Sequence, residues 1–282
     1  FTIFPLNVYA ISQISSVTLQ VFLINIFLLS FIKIYKGLFK NNILIFSLAS
    51  ALLILLRGEF FIFIIFSIIY LLVKQKNFLN IFFIILIITI LISPYIYRNY
   101  KIFGVITITK SFGYNLLKGN HPNTVVEGTG MFLNVENVVP GVRLELEELY
   151  DKGPIPKHDL LKDEILLKKA VTYIKDDPIK YFKLYLKKFF SFMFIDINST
   201  YPNYYSLFHI IPKLILSVGT LIGIIAIANF SINLSNFFII YYFANLGLFS
   251  FFFILPRYSL SLLTIQILLS LYGIEKIKKK FY

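Results

Sequence analysis

Apolar residues in this chain run unbroken for long stretches instead of alternating with polar ones. Val8–Ile32, Phe78–Tyr97, Leu207–Ala228, Phe237–Leu255 and Tyr258–Ile274 each approach the ~20 residues that carry a helix across a bilayer. Ile43–Val73 is also apolar but is interrupted by Arg57-Gly58-Glu59. Charged side chains at mid-bilayer depth are costly, so this run predicts two short helices that meet at residues 57–59. The pattern adds up to about seven spans, with no internal repeat.

Between Arg98 and Ser206 the pattern changes. This stretch holds 12 of the 14 acidic residues, Glu59 and Glu275 being the other two. It predicts a small extramembrane domain of mixed structure, with a short strand at Val105–Thr109, a turn at Gly128–Gly130, and helices at Val142–Tyr150 and Asp159–Lys175. Asp176-Asp177-Pro178 reads as the cap and first turn of a further helix, spanning about residues 179–195. Its Tyr, Phe and Leu residues alternate with Lys180, Lys183, Lys187 and Lys188, the composition of a helix that lies in a membrane interface. The expected fold is an all-α polytopic membrane protein. Residues 1–97 would form about four spans, 98–206 a non-cytoplasmic loop domain, 207–275 about three spans, and 276–282 a basic cytoplasmic tail.

Composition agrees with that reading. Hydrophobic residues make up 58% of the 282-residue chain and charged residues 15%, and mean hydropathy is +0.79. Soluble domains average about 45–50% and about 25%. With no cysteine, disulfide and thiolate chemistry are excluded. His121, His158 and His209 lack metal-ligand spacing, so no metal site is indicated and no cofactor is expected, a divalent metal being left open. The net charge of +13 comes from lysines that flank apolar runs, which fits anchoring at a membrane surface. No nucleic-acid motif accompanies them, so membrane lipids, not nucleic acid, are the expected partners. Lysines in short loops set orientation. Lys33, Lys36 and Lys40, then Lys74 and Lys76, then Lys276, Lys278, Lys279 and Lys280 mark the cytoplasmic side. The Arg57–Glu59 turn, the Arg98–Ser206 segment and the Pro256-Arg257 turn are thereby expected on the opposite face. The chain opens at Phe1 on residues that read as mid-protein, with no signal-peptide pattern, and a preceding segment is expected.

Lys and Arg total 27, yet only Arg57, Arg98, Arg143 and Arg257 are arginine. Three of these sit at helix ends predicted to share the outer face. A guanidinium binds phosphate through two parallel hydrogen bonds and keeps its charge in a low-dielectric setting. Arg57, Arg98 and Arg257 are therefore candidates for a phosphate or pyrophosphate site; interfacial snorkelling is the alternative. Glu59 could act as a base, a metal ligand or an ion-pair partner of Arg57 or Arg98. Asn99, Tyr100, Asn115 and Asn120 follow Arg98, interspersed with Gly104, Gly113 and Gly119. They form either tight turns or contacts to a sugar or phosphate. Asp196 is a weaker carboxylate candidate, with a simple cap as the alternative reading.

Certain residues in order carry a resemblance. They are Leu55-Leu56-Arg57-Gly58-Glu59, then Ser93-Pro94-Tyr95-Ile96-Tyr97-Arg98-Asn99-Tyr100, Phe103-Gly104, Gly113-Tyr114-Asn115-Leu116 and Gly119-Asn120. Tyr173-Ile174-Lys175-Asp176-Asp177-Pro178 and Leu255-Pro256-Arg257-Tyr258 follow. In that order the chain resembles the polytopic GT-C glycosyltransferases. The nearer likeness is to the branch of the dolichyl-phosphate-mannose mannosyltransferases and aminoarabinose transferases, glycosyltransferase family 39. The resemblance implies a multi-pass protein, of a bacterial inner membrane, with its active site on the outer face and a polyprenyl-phosphate sugar as donor. The acceptor would be a lipid, a glycan or a protein. It also implies a catalytic acidic residue, acting as base, in a first outer loop upstream of Phe1, leaving Glu59 as a weak candidate within this chain. Arg57, Arg98 and Arg257 would hold the donor phosphate, and Tyr258 would join the substrate loop. Val17 departs from the family, which commonly carries glutamate there. The alternative function is a non-catalytic flippase or transporter of lipid-linked sugars, although transporters usually show internal repeats and helices broken near the midplane.

Overall fold

The computed structural model describes residues 4–11, 16–127, 139, 141–151, 157–199, 206–227 and 233–281. Among them the architecture is all-α. The helices are α1 (Pro5–Ile11), α2 (Val17–Tyr35), α3 (Asn42–Leu56), α4 (Phe60–Gln75), α5 (Phe78–Phe103), α6 (Phe112–Gly119), α7 (Val142–Tyr150), α8 (His158–Asp176), α9 (Pro178–Met193), α10 (Leu207–Ile227), α11 (Leu234–Ser250) and α12 (Leu260–Phe281), with a 3₁₀ turn at Pro256–Ser259. Four are long and apolar enough to cross a membrane: Val17–Tyr35, Phe78–Phe103, Leu207–Ile227 and Pro256–Lys279. Asn42–Leu56, Phe60–Gln75 and Leu234–Ser250 are shorter apolar helices. The protein is a membrane protein that is all-helical among the described residues.

Two compact units divide the chain. The first comprises Phe1–Arg98, Ile215–Asn245 and Leu260–Tyr282. Its core is aromatic. Phe27, Phe31, Phe46, Phe60, Phe63, Phe237 and Tyr241 are almost fully buried, and Phe31 stacks on Phe237 with ring centroids 3.8 Å apart. The break at residues 57–59 is where the sequence places it, between α3 and α4. Within the long run Val8–Ile32, α1 ends at Ile11 and α2 starts at Val17; residues 12–15 lie outside the described part. α10 and α12 approach closely at glycine. A β-carbon on Gly223 would lie 2.2 Å from the Leu269 carbonyl oxygen, and Gly219 lies one turn earlier, the small-residue spacing of tight membrane-helix contacts.

α5 runs further than the sequence suggests. It continues through Pro94 and Arg98 to Phe103. Proline removes the amide that would bond the Ile90 carbonyl, and the Ser93 hydroxyl donates to that oxygen at 2.9 Å instead. Gly104 (φ +70°) stops the helix: a left-handed residue just past the end returns its amide to the Tyr100 carbonyl at 2.8 Å.

The second unit comprises Asn99–Leu214 and Leu246–Ser259. Its helices α7, α8 and α9 fall within a residue or two of the expected ranges. Leu116, Leu117, Val139, Val142, Leu146, Leu149, Leu166 and Ala170 form its core. The expected mixed character is corrected: no strand occurs among the described residues, and an isolated bridge joins Glu127 to Ile254. Val105–Thr109 is not a strand. Asn99 donates to the Thr107 carbonyl at 2.8 Å and the Thr107 hydroxyl to the Thr109 carbonyl at 2.6 Å. These local bonds occupy groups a ladder would use. The expected turn at Gly128–Gly130 lies outside the described residues. Phe237–Leu255 is also shorter as a helix than expected, since α11 stops at Ser250. The residue before Pro256 is pushed toward extended backbone, and residues 251–255 form the irregular segment on which the site is built.

Candidate functional site

The site begins at α6, an eight-residue helix anchored at both ends. At its start, Asp163 of α8 accepts the amides of Gly113 (3.0 Å) and Tyr114 (2.9 Å). A carboxylate there satisfies otherwise orphaned N–H groups and sits favourably at the positive end of the helix. At its end, Gly119 touches backbone. A β-carbon there would come within 2.5 Å of the Phe252 carbonyl carbon and 2.6 Å of the Phe253 nitrogen, so only glycine lets the two segments approach. Asn120 ties them together, its amide donating to the Leu116 carbonyl at 2.8 Å and the Phe251 carbonyl at 2.7 Å.

Beneath this junction lies Lys188 of α9, with no measurable exposure. Its ammonium donates to the Gly119 carbonyl and to the Asn120 side-chain oxygen, the latter at 3.4 Å. Burial pushes its pKa down to about 7. His121, 3% exposed, is lowered to about 4 by burial and then by the Lys188 charge. Its Nδ1 accepts the Asn123 amide at 3.3 Å.

Two further cations, Lys118 and Arg257, belong to the same unit and repel each other. Lys118 is buried, and its Nζ sits 4.2 Å from the Phe253 ring centroid and 5.7 Å from that of Tyr114. Burial and then the Arg257 charge lower its pKa. The Arg257 guanidinium lies 5.8 Å from the Tyr258 ring centroid, and its Nε is buried without a hydrogen-bond partner. Among the described residues, no carboxylate pairs with either cation. A desolvated lysine and a half-buried arginine beside π faces, with one guanidinium donor unused, suit a divalent oxyanion such as a phosphate.

A second polar cluster surrounds Glu127, 4% exposed. Its carboxylate accepts from Ser199 at 2.7 Å and from Ser191 at 3.3 Å. It lines a cavity of about 20 Å³ with Ser191, His209, Lys213 and Ser259, which has room for about one water.

The structure distributes the residues singled out in the sequence. Arg57 and Arg98 belong to the first unit and Arg257 to the second. Arg57 forms an ion pair with Glu59 and donates to Gln20 at 3.1 Å. Asn99 and Asn120 are buried, and Asn99, Asn115 and Asn120 direct their amides to backbone carbonyls, which is turn and junction chemistry. Tyr100 is half exposed, and Asp196 caps its own turn through the Asn198 amide at 3.0 Å. Among the described residues, no group of three His, Asp or Glu could hold a metal. Sequence reasoning missed Lys118, Lys188, Lys213 and Glu127. The signal for Lys188 was its place on the helical wheel, on the same side as Tyr181 and Phe192 and away from Lys183. The chain matches no family model, no curated protein and no solved structure.

Proposed function

We propose that the protein is a multi-pass membrane glycosyltransferase. It would move a sugar from a polyprenyl-phosphate donor to a lipid, glycan or protein acceptor on the outer membrane face. The observation that carries this reading is the Lys118–Arg257 pair: Lys118 is buried, no described carboxylate compensates either cation, and the buried Arg257 Nε has no hydrogen-bond partner. In the reaction an acceptor hydroxyl or amine attacks the anomeric carbon. The bond from that carbon to the phosphate oxygen breaks, and the phosphate departs as an anion. The acceptor proton passes to a carboxylate base. Cations preorganised at the departing phosphate lower the barrier because they strengthen as its charge develops. Within the first unit, Arg57 and Arg98 remain candidates for binding an anion, and Glu59 for the base. The order and spacing of the motifs that resemble the GT-C enzymes support the same reading.

The test is transfer of radiolabelled sugar from a panel of polyprenyl-phosphate sugars by the full-length protein in membranes. Turnover should fall about 10²–10³-fold in Arg257→Gln and by orders of magnitude in Arg98→Ala, with membrane insertion retained. Unchanged turnover in both variants would overturn the assignment. Absence of transfer from every donor, with polyprenyl-phosphate binding intact, would favour a flippase.

A further inference from the structure

Helix α9 presents three faces. At about 100° per residue, Tyr181, Lys188 and Phe192 fall on one side, where all three are buried. Ile179, Phe182, Leu186 and Phe190 fall together within roughly 80° and are 68, 61, 37 and 56% exposed. Lys180, Lys183 and Lys187 occupy the roughly 60° between. Singly exposed apolar residues are ordinary, but a continuous line of four large ones marks an interaction surface.

The lysines line a groove of about 580 Å³ together with His121, Thr124 and Asp177. The Asp177 carboxylate is committed to capping α9, where it accepts the Lys180 amide at 3.0 Å. The Lys180 ammonium leans on the Pro122 carbonyl at 3.4 Å. Lys183 and Lys187 have no carboxylate partner among the described residues. His121 stays neutral at physiological pH, its proton affinity lowered by burial.

We propose that α9 is a docking surface for a bilayer containing acidic phospholipids. Its apolar line enters the acyl boundary and its lysine row takes the headgroup phosphates. The buried face, tied to Gly119 and Asn120 through Lys188, holds the helix to the protein while the other two faces meet lipid. Charge complementarity selects the occupant: a one-sided cationic row beside an apolar line matches an anionic headgroup layer above acyl chains. Lysine suits that fluid layer better than a fixed protein partner, because its ammonium is a flexible point charge without the planar fork that rigid pairing favours. A free phosphate would leave the apolar line unused. This inference concerns lipid and holds whether or not the protein transfers sugar.

The cysteine-free sequence allows a single Leu186→Cys site on the full chain, labelled with an environment-sensitive fluorophore. The protein is reconstituted in vesicles of phosphatidylcholine alone or with phosphatidylglycerol, with and without doxyl lipids as quenchers. The expected result is quenching by doxyl lipid that strengthens with phosphatidylglycerol and weakens with salt. Lys180→Gln/Lys183→Gln/Lys187→Gln should weaken the docked state by about fivefold per lysine, about a hundredfold in all, with an unchanged melting profile. Quenching indifferent to both phosphatidylglycerol and the lysines would overturn the proposal. So would a label shielded from water yet unreached by doxyl lipid, which would place a protein on this surface.

Discussion

The Lys188 ammonium of α9 bonds the carbonyl oxygen of Gly119 at the end of α6. A lysine otherwise expected on a wet helix face thereby closes the junction on which the candidate site rests. Its burial disfavours the charged form, so its folded-state pKa of about 7 lies below its ordinary 10.5. Between these values the unfolded chain binds more protons than the folded one, so stability rises as pH increases from about 7 to 10.5. The slope is at most about 1.4 kcal/mol per pH unit. Below pH 7 both states are protonated and the contribution is flat. Lys188→Met should remove this slope, which thermal melts of the two proteins in one detergent across pH 6–11 would reveal. Parallel profiles would show that Lys188 is not buried as described.

His121 titrates in a separate window. Its folded pKa of about 4 lies below the ordinary 6.5, so protonation favours the unfolded chain. The stability it preserves is complete above about pH 6.5 and is lost as pH falls toward 4, by at most about 3 kcal/mol. Carboxylates titrate in the same range, so the informative quantity is the difference between wild type and His121→Gln. That difference should change with pH between 4 and 6.5 and be constant above. A constant offset at every pH would contradict the buried neutral imidazole.

Much of this architecture is legible in the sequence, for physical reasons that also explain the exceptions. The α3–α4 break could be read because Arg57 and Glu59 cannot sit in hydrocarbon at modest cost, and they pair where the helices meet. The start of α9 could be read because Asp177 and Pro178 are a cap and a first-turn residue, and the carboxylate does bond the Lys180 amide. α6 could not: it is eight residues long, with glycine at its second and last positions. An isolated helix of that length is marginal; this one depends on Asp163, distant in sequence. The cations of the site were hidden for another reason. Lysine is abundant in this chain, and Lys118 does not differ in local sequence from lysines that meet water, while Lys188 is set apart by its helical-wheel position alone. The Phe253 ring lies against Lys118 where residues 252–253 approach Gly119, and Lys188 is buried against Gly119 and Asn120.

The contact at Gly119 makes a stability prediction. Gly119→Ala would place a methyl group 2.5 Å from the Phe252 carbonyl carbon, where backbone on both sides must give way. Overpacking of this kind costs about 1–3 kcal/mol. It should appear as a lower melting temperature together with greater hydrogen-exchange at the Asn120 amide group. Unaltered melting would mean that the two segments are not in contact.

Asp163 is expected to matter at its two bonds to the start of α6. Removing an N-terminal capping side chain costs about 0.5–2 kcal/mol, so Asp163→Ala should destabilise by that order. Asp163→Asn keeps one acceptor and should retain part of the loss. Equal melting of the two variants would locate the effect in packing rather than in capping.

Lys118 and Arg257 should behave as one unit toward an anion. The Arg257 charge contributes to lowering Lys118, so Arg257→Gln should raise the Lys118 pKa, and a bound phosphate should do the same. Binding of a short-chain polyprenyl phosphate, followed by calorimetry, should weaken about 10–100-fold in either single variant, at about 1.5–3 kcal/mol per charged hydrogen bond. The double variant should lose more than the sum of the two, because each single variant relieves the repulsion on the cation that remains. Binding should also weaken with added salt less steeply than at exposed lysines, since buried charges are screened less. Strict additivity would separate the two cations into independent sites, and binding unaffected by either variant would remove the phosphate from this part of the molecule.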